Sequence, residues 1–252
     1  MLSDRIRTMG MPHWLTLFGV ILGAWIVLYT LAIPDDLRAL SKVYGSEFWR
    51  SLCVVTLDAT GYATAVAMWA LMAAAMMLPT ALPAFATHDD LCHQTGARLA
   101  PLVAGYAVVW MGFSLIAAAA QMGLFSLQMI SAIGDSQSLW LSAGLLLGAG
   151  LYQFSPVKEA CLSKCRQPLT FFMSHWDEGP WRNGLRLGLI CLGCCWALML
   201  LAFVGGVMNM AFMGIATLIM VLEKMQNLGR YVTRPLGVVL IFGAMTLVVR
   251  AV

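Results

Sequence analysis

Charged residues are scarce in this chain, and their scarcity excludes an ordinary soluble protein. Asp, Glu, Lys and Arg make up 11% of the 252 residues, whereas 61% are hydrophobic. A typical soluble domain carries about 25% charged and about 45–50% apolar residues. No stretch is polar enough to form a separate soluble domain, so the composition predicts a single integral membrane domain over residues 1–252.

Several familiar motifs are also missing. No glycine-rich nucleotide-binding loop is present, which argues against transport driven by the protein's own ATP hydrolysis. The cysteines do not form the paired CxxC motifs of a zinc ribbon, and no histidine completes a zinc-finger pattern. Because no small-residue cleavage site of a signal peptide follows Arg5 and Arg7, we expect the first apolar run to remain as a membrane helix.

Long apolar runs predict an all-α fold, a polytopic transmembrane helical bundle. A helix that crosses a bilayer needs about 20 apolar residues, with a lower limit of about 17. The second run is long enough to tilt or to break near Pro79 and Pro83, and the sixth is short. Seven spans are predicted, at about 14–33, 57–85, 99–122, 139–154, 185–207, 210–222 and 236–252.

The distribution of lysine and arginine orients the predicted bundle. With a cytoplasmic N-terminus, eleven of these residues fall on the inner side and four on the outer side. This asymmetry follows the positive-inside rule. The long segment at about 155–184 is then a cytoplasmic loop. The net charge of +3 is explained by this topology and does not indicate nucleic-acid binding.

Three cysteines lie in one uncharged run, GLICLGCCWALML at 188–200. Cys191, Cys194 and Cys195 are related by i, i+3 and i+4, so they share one face of a helix. Soft thiolate ligands select ions such as Cu(I) and Zn(II). The spacing therefore indicates a metal site, while a buried cysteine that serves only as a small packing residue remains the alternative.

The loop before this run contributes two further thiols. Cys161 and Cys165 are four residues apart, and a short helix beginning at Ser155 and Pro156 would place both on one side. Glu159 could add an oxygen ligand or could pair with a neighbouring lysine. A cytosolic location keeps thiols reduced, so a disulfide is not expected. Five cysteines are thus predicted to converge on one site at the inner membrane interface.

Methionines suggest a route for the same ion. Met72 and Met76 belong to a stripe with four-residue spacing in the second span, and Met208 and Met213 flank the start of the sixth. Thioethers are soft, uncharged ligands for Cu(I), so a relay is one interpretation. The other is that these side chains fill gaps in an apolar core. The relay favours copper over zinc as the bound metal.

Other polar residues within or beside the spans are candidates for function. His88, Cys92 and His93 lie in the stretch THDDLCHQ, read as a short inner loop that could hold a second metal or could be a solvated hairpin. An acid at mid-bilayer costs about 2.5–3.5 kcal/mol on insertion scales. We therefore expect the polar residues of the spans to be buried against protein or water; they are Asp58, Asn209 and Glu223.

Long motifs in the chain resemble a known family. The stretches MWALMAAAMMLPTALPAF, AGLYQFSPVKEACLSKCRQPLTFF and GLRLGLICLGCCWALMLLAFVGGVMNMAFM, together with LEK, look like a bacterial family described as predicted metal-binding integral membrane proteins. The resemblance covers about residues 60–225. It implies a bacterial inner membrane location and a metal-related role. The motif positions are Lys158, Cys161, Cys165, Cys191, Cys194, Cys195, Met208, Asn209 and Met213.

Three functions are compatible with these observations. The first is binding of a soft metal, copper in preference to zinc, for handling, delivery or translocation at the inner membrane, with a metallochaperone as an expected partner. The second is a structural or assembly subunit of a membrane complex with no metal of its own. The third is a thiol enzyme, and it is the weakest, because no His or Asp at a defined spacing could serve as the base.

Overall fold

A computed structural model describes residues 12–32, 57–95, 98–131, 134–207 and 209–251, without the side chains of residues 93–95 and 251. Within these residues the chain forms ten α-helices and no β-strand, apart from an isolated bridge between Ile130 and Ser136. The all-α prediction is confirmed. The helices are α1 (Pro12–Ala32), α2 (Ala59–Thr95), α3 (Leu99–Ser126), α4 (Leu139–Tyr152), α5 (Pro156–Arg166), α6 (Pro168–His175), α7 (Gly179–Leu200), α8 (Ala202–Gly205), α9 (Met210–Lys224) and α10 (Gly229–Ala251), with a 3-10 turn at Trp176–Glu178.

Five helical stretches of the described residues are long and apolar enough to cross a membrane. Helices α4 and α9 are apolar but have only 14 and 15 residues, below the lower limit of about 17 for a simple span. The number of spans predicted from the sequence is therefore larger than the number that length alone supports. The five stretches are Pro12–Ala32, Ala59–Cys92, Leu99–Ser126, Pro168–Gly205 and Gly229–Arg250.

Two segments expected to be loops are helical. Helix α2 continues to Thr95 and so includes the whole THDDLCHQ stretch, which is not a hairpin loop. The segment at 155–184 folds into α5, α6 and the first residues of α7. It packs on the bundle through buried apolar side chains, among them Leu162 and Phe172. Helices form here because these segments also have an apolar side that the bundle can bury.

Helix α2 runs through both of its prolines, Pro79 and Pro83. A proline has no N–H, so Pro79 leaves the carbonyl of Ala75 without its usual helical partner. The indole N–H of Trp25 on α1 donates to this carbonyl at 2.9 Å. The side chain of another helix thus satisfies a backbone group freed by proline, which an apolar interior requires.

Glycines allow two pairs of helices to approach closely. A Cβ atom at Gly105 of α3 would lie 2.5 Å from the carbonyl oxygen of Trp181, and one at Gly184 of α7 would overlap the backbone of Leu102. Helices α3 and α7 are therefore in backbone contact. Gly150 brings α4 against α10 in the same way. The first of these contacts fixes the helix that carries the cysteine cluster.

Candidate metal centre

The three thiols of α7 form a compact, buried group. The Sγ atoms of Cys191, Cys194 and Cys195 all lie within 4.8 Å of one another. Each of these residues is 1% exposed. The Sγ atoms of Cys194 and Cys195 are 3.3 Å apart. We call these three residues the thiol cluster, and within the described part of the chain no other group of three or more Cys, His, Asp and Glu ligands is so close.

The spacing of the thiol cluster suits a soft metal ion. A metal bound by thiolates at about 2.3 Å holds two sulfurs no more than about 4.6 Å apart. All three sulfurs lie within 4.8 Å of one another, which is compatible with that limit, and the 3.3 Å pair needs only to open slightly. Three sulfurs and no oxygen favour Cu(I), whereas tetrahedral Zn(II) requires a fourth ligand.

A cation and a phenol contact Cys191 from neighbouring helices. The Nζ atom of Lys224, the last residue of α9, donates to Cys191 Sγ at 3.0 Å and to Thr80 Oγ1 at 2.6 Å. The hydroxyl of Tyr106 lies 3.0 Å from the same sulfur and donates to the carbonyl of Met77 at 3.0 Å. The ammonium group is thus placed where it compensates the negative charge of metal-bound thiolates.

Helix α5 brings its two cysteines to the same place. A Cβ atom at Gly193 would lie 2.7 Å from Cys161 Sγ, so Cys161 packs directly on the backbone of α7. Cys165 lies close enough to Cys194 for the two thiols to interact electrostatically. Burial raises the pKa of the Cys161 thiol, although the Lys164 ammonium opposes the rise. The structure therefore places two partly exposed thiols of α5 beside the helix that carries the three buried ones.

Buried polar contacts hold α5 in position. The helix begins as predicted, with Ser155 accepting from the N–H of Val157 and proline in its first turn. Lys158 forms an ion pair with Glu223 of α9 at 2.9 Å, and both side chains are at most 2% exposed. At the other end of α5, Arg166 donates to the carbonyl of Glu223 at 2.9 Å. We call these contacts the α5 clamp.

A cavity of about 460 Å³ leads to the thiols. Its walls come from the proline segment of α2, the junction of α5 and α6, and the end of α9. Of the thiols it reaches Cys165 and Cys191, and Lys224 and Asp90 also line it. The cavity gives a small ion or complex a path to the thiol cluster from the partly exposed pair.

Three predicted site residues are placed elsewhere. Glu159 is exposed and pairs with Arg166 at 3.4 Å, because a residue two positions before Cys161 points away from it on a helix. Asp58 and Asn209 are exposed instead of buried. Each caps a helix, since Asp58 accepts from the N–H of Gly61 and Asn209 from that of Phe212. Of the three residues expected to be buried and polar, Glu223 is buried.

The predicted second metal site is a smaller group. His88 and Cys92 are buried, and Cys92 Sγ lies 3.1 Å from His88 Nδ1. The ring of His88 packs between those of Phe172 and Trp176. The side chain of His93 lies outside the described residues. His88 and Cys92 offer two neighbouring candidate ligands, and two do not by themselves form a complete metal site.

The predicted methionine relay is only partly described. Met72, Met76 and Met213 are buried, at 1%, 3% and 1% exposure, in the same core as the thiol cluster. Met208 lies outside the described residues. Burial of this kind suits both a relay and ordinary core packing.

Sequence reasoning missed the polar shell of the thiol cluster. Lys224 and Tyr106 are 33 and 85 residues from Cys191 in sequence. In the sequence, a lysine at the end of an apolar run indicates only the topology. One clue is that Lys224 belongs to the motif LEK. Its neighbour in that motif, Glu223, is the ion-pair partner of Lys158.

The described residues form an all-helical bundle of apolar helices with three clustered thiols, an arrangement that can hold a soft metal ion. Residues 66–247 match the profile of the PpoB2 family, whose description is copper chaperone. The match covers more than half of the chain, so the chain belongs to this copper chaperone family. No curated protein and no solved structure matches it.

Proposed function

We propose that this protein is a membrane-embedded copper chaperone that binds Cu(I) through the thiol cluster and passes it on at the bacterial inner membrane. The observation that carries the proposal is the buried group of three Sγ atoms within 4.8 Å of one another in a member of a copper chaperone family. The five long apolar stretches support a location in a membrane.

The thiol cluster would hold the ion, and α5 would exchange it. Cys191, Cys194 and Cys195 offer three sulfurs, and Cys165 contacts Cys194 from the partly exposed side. Ligand exchange between neighbouring thiolates lets Cu(I) move without leaving sulfur. Cys161 and Cys165 would therefore receive the ion, and the buried trio would retain it.

The proposed orientation places the α5 thiols on the cytoplasmic side. It rests on the eleven-to-four distribution of lysine and arginine and on seven spans, with α4 and α9 crossing as short helices. Cu(I) would then enter from the cytosol through the cavity beside Lys224. Buried thioethers of Met72, Met76 and Met213 are the proposed ligands beyond the cluster.

Copper content after purification tests the proposal. We expect wild-type protein, loaded with Cu(I) in detergent under anaerobic and reducing conditions, to retain copper and to show thiolate-to-copper absorption in the ultraviolet. Combined replacement Cys191→Ser, Cys194→Ser and Cys195→Ser should lower both signals strongly, because only the two thiols of α5 then remain at the site.

Cys92→Ser is the matched control, because Cys92 is also buried but contacts His88 instead of the thiol cluster. It should retain copper at the wild-type ratio. Equal copper binding by the triple variant and the wild type would show that the cluster serves only for packing. Absence of copper from the wild type would favour a structural subunit.

A further inference from the structure

A second cavity lies at the same end of the bundle as α5 and has a different character. It has a volume of about 920 Å³ and lies between the α4–α5 junction and the first two turns of α10. No residue of the thiol cluster lines this cavity. Its lining includes Gln153, Glu159, Arg230, Tyr231 and Arg234.

The charges around this cavity favour an anion. Arg230 and Arg234 are exposed residues on one side of α10, four positions apart. Glu159 also lines the cavity, but its carboxylate pairs with Arg166, so the net charge of these four side chains remains positive. The N-terminus of α10 begins at Gly229, and the positive end of its helix dipole adds to the field of the two arginines.

A buried amide side chain is a second indication that the cavity binds a ligand, independent of the charge of the two arginines. Gln153 is 5% exposed and lines the cavity, and neither its Oε1 nor its Nε2 has a hydrogen-bond partner among the described residues. A buried polar group without a partner is costly and uncommon. The amide N–H group can donate to an oxygen of a ligand that occupies the cavity.

The surroundings of the cavity indicate where the anion comes from. Tyr231 is 79% exposed beside the two arginines. Beyond it, α10 exposes Val238 and Phe242, and α4 exposes Leu151, each more than half. A phosphate group in the cavity would thus adjoin apolar helix surfaces that acyl chains can cover. Basic pockets at the cytoplasmic ends of membrane helices recognise anionic headgroups in this way.

We propose that this cavity binds a phosphate group, and that the group is the phosphodiester of an anionic phospholipid. Arg230 and Arg234 contact its oxygens, and Gln153 donates its amide N–H to one of them. The site is separate from the thiol cluster, so it does not depend on copper binding.

Thermal unfolding in detergent tests the site with three additives: phosphatidylglycerol, phosphatidylcholine and inorganic phosphate. We expect phosphatidylglycerol, and not phosphatidylcholine, to raise the unfolding temperature of the wild type. The Arg230→Gln/Arg234→Gln variant should need a concentration about tenfold higher or more for the same shift, because two phosphate contacts are lost. Arg250→Gln, at the other end of α10, is the matched control and should respond as the wild type does.

A shift produced by inorganic phosphate and not by phosphatidylglycerol would support the phosphate site but assign it to a soluble ligand. An unchanged response of the double variant to phosphatidylglycerol would overturn the proposal, as would absence of any shift in the wild type. If the double variant does not fold, Gln153→Leu keeps both charges and should still weaken the response. A wild-type response from Gln153→Leu would then overturn it.

Discussion

Lys224 is the side chain best placed to balance the negative charge of a metal-bound thiol cluster. A Cu(I) ion with three thiolates carries a net negative charge, and the apolar core around it cannot solvate that charge. The ammonium group 3.0 Å from Cys191 Sγ compensates it and is itself held by Thr80. Lysine also gives three donors, so one group can contact both partners.

Replacement Lys224→Met should lower the affinity for Cu(I) about 10- to 100-fold, because a charge-assisted hydrogen bond is worth about 1.5–3 kcal/mol. Competition with a colorimetric Cu(I) chelator measures the change. Lys164→Met is the control, since Lys164 is exposed on α5 and should leave the affinity nearly unchanged. Equal affinities for Lys224→Met and the wild type would remove Lys224 from the site.

The thiol cluster could be predicted from sequence, because helical spacing alone places Cys191, Cys194 and Cys195 on one face. The polar residues were harder. Asp58 and Asn209 adjoin apolar runs and so looked buried, yet both residue types are also the preferred caps of a helix N-terminus. Only knowledge of where each helix begins separates the two roles.

At the scale of elements, α5 is the part that couples the exposed thiols to the buried ones. Its N-terminus was predictable from Ser155 and Pro156, which cap and start it. Its position was not, since the α5 clamp joins residues 65 positions apart, Lys158 and Glu223. An ion pair between residues so far apart in the sequence leaves no periodic pattern by which it could be predicted.

Breaking the clamp on one side should be costly. Lys158→Met leaves the carboxylate of Glu223 buried without its partner, and we expect a loss of about 3–5 kcal/mol in the free energy of unfolding. Lys158→Met combined with Glu223→Leu removes both charges and should recover most of this loss. Unfolding followed by tryptophan fluorescence measures both variants.

The control for this prediction is Arg186→Gln. Arg186 and Glu178 form an ion pair at 2.7 Å whose arginine side chain is 51% exposed, and an exposed pair contributes at most about 1 kcal/mol. If Lys158→Met were no more destabilising than Arg186→Gln, the buried pair would not fasten α5. A double variant as unstable as Lys158→Met would also contradict the clamp.

For the whole molecule, composition was enough to predict an all-helical fold, because a chain this apolar must satisfy its backbone polar groups within helices. It was not enough to count the spans. Helices α4 and α9 are too short for a simple crossing, and their tilt and depth depend on packing against neighbours. The close α4–α10 contact through Gly150 is one such constraint.

The orientation of the bundle can be tested with one exposed residue of α5. Ser163→Cys should react with a membrane-impermeant maleimide only after intact cells are permeabilised, because the positive-inside asymmetry predicts a cytosolic position for α5. The wild type serves as the baseline, because its native thiols can also react with the maleimide, and the labelling of Ser163→Cys is measured as the increase over that baseline. Labelling of Ser163→Cys on intact cells would reverse the proposed orientation and the direction of copper entry.

The division of the thiols between two helices has a consequence for selectivity among metals. Copper could complete a three-sulfur complex on α7 alone, whereas zinc needs a fourth ligand, which Cys165 of α5 could supply. Zinc would therefore act as a cross-link between the two helices, and copper would not. A zinc ion bound in this way would resist transfer, because its release requires α5 to separate from α7, while copper remains free to move from thiol to thiol.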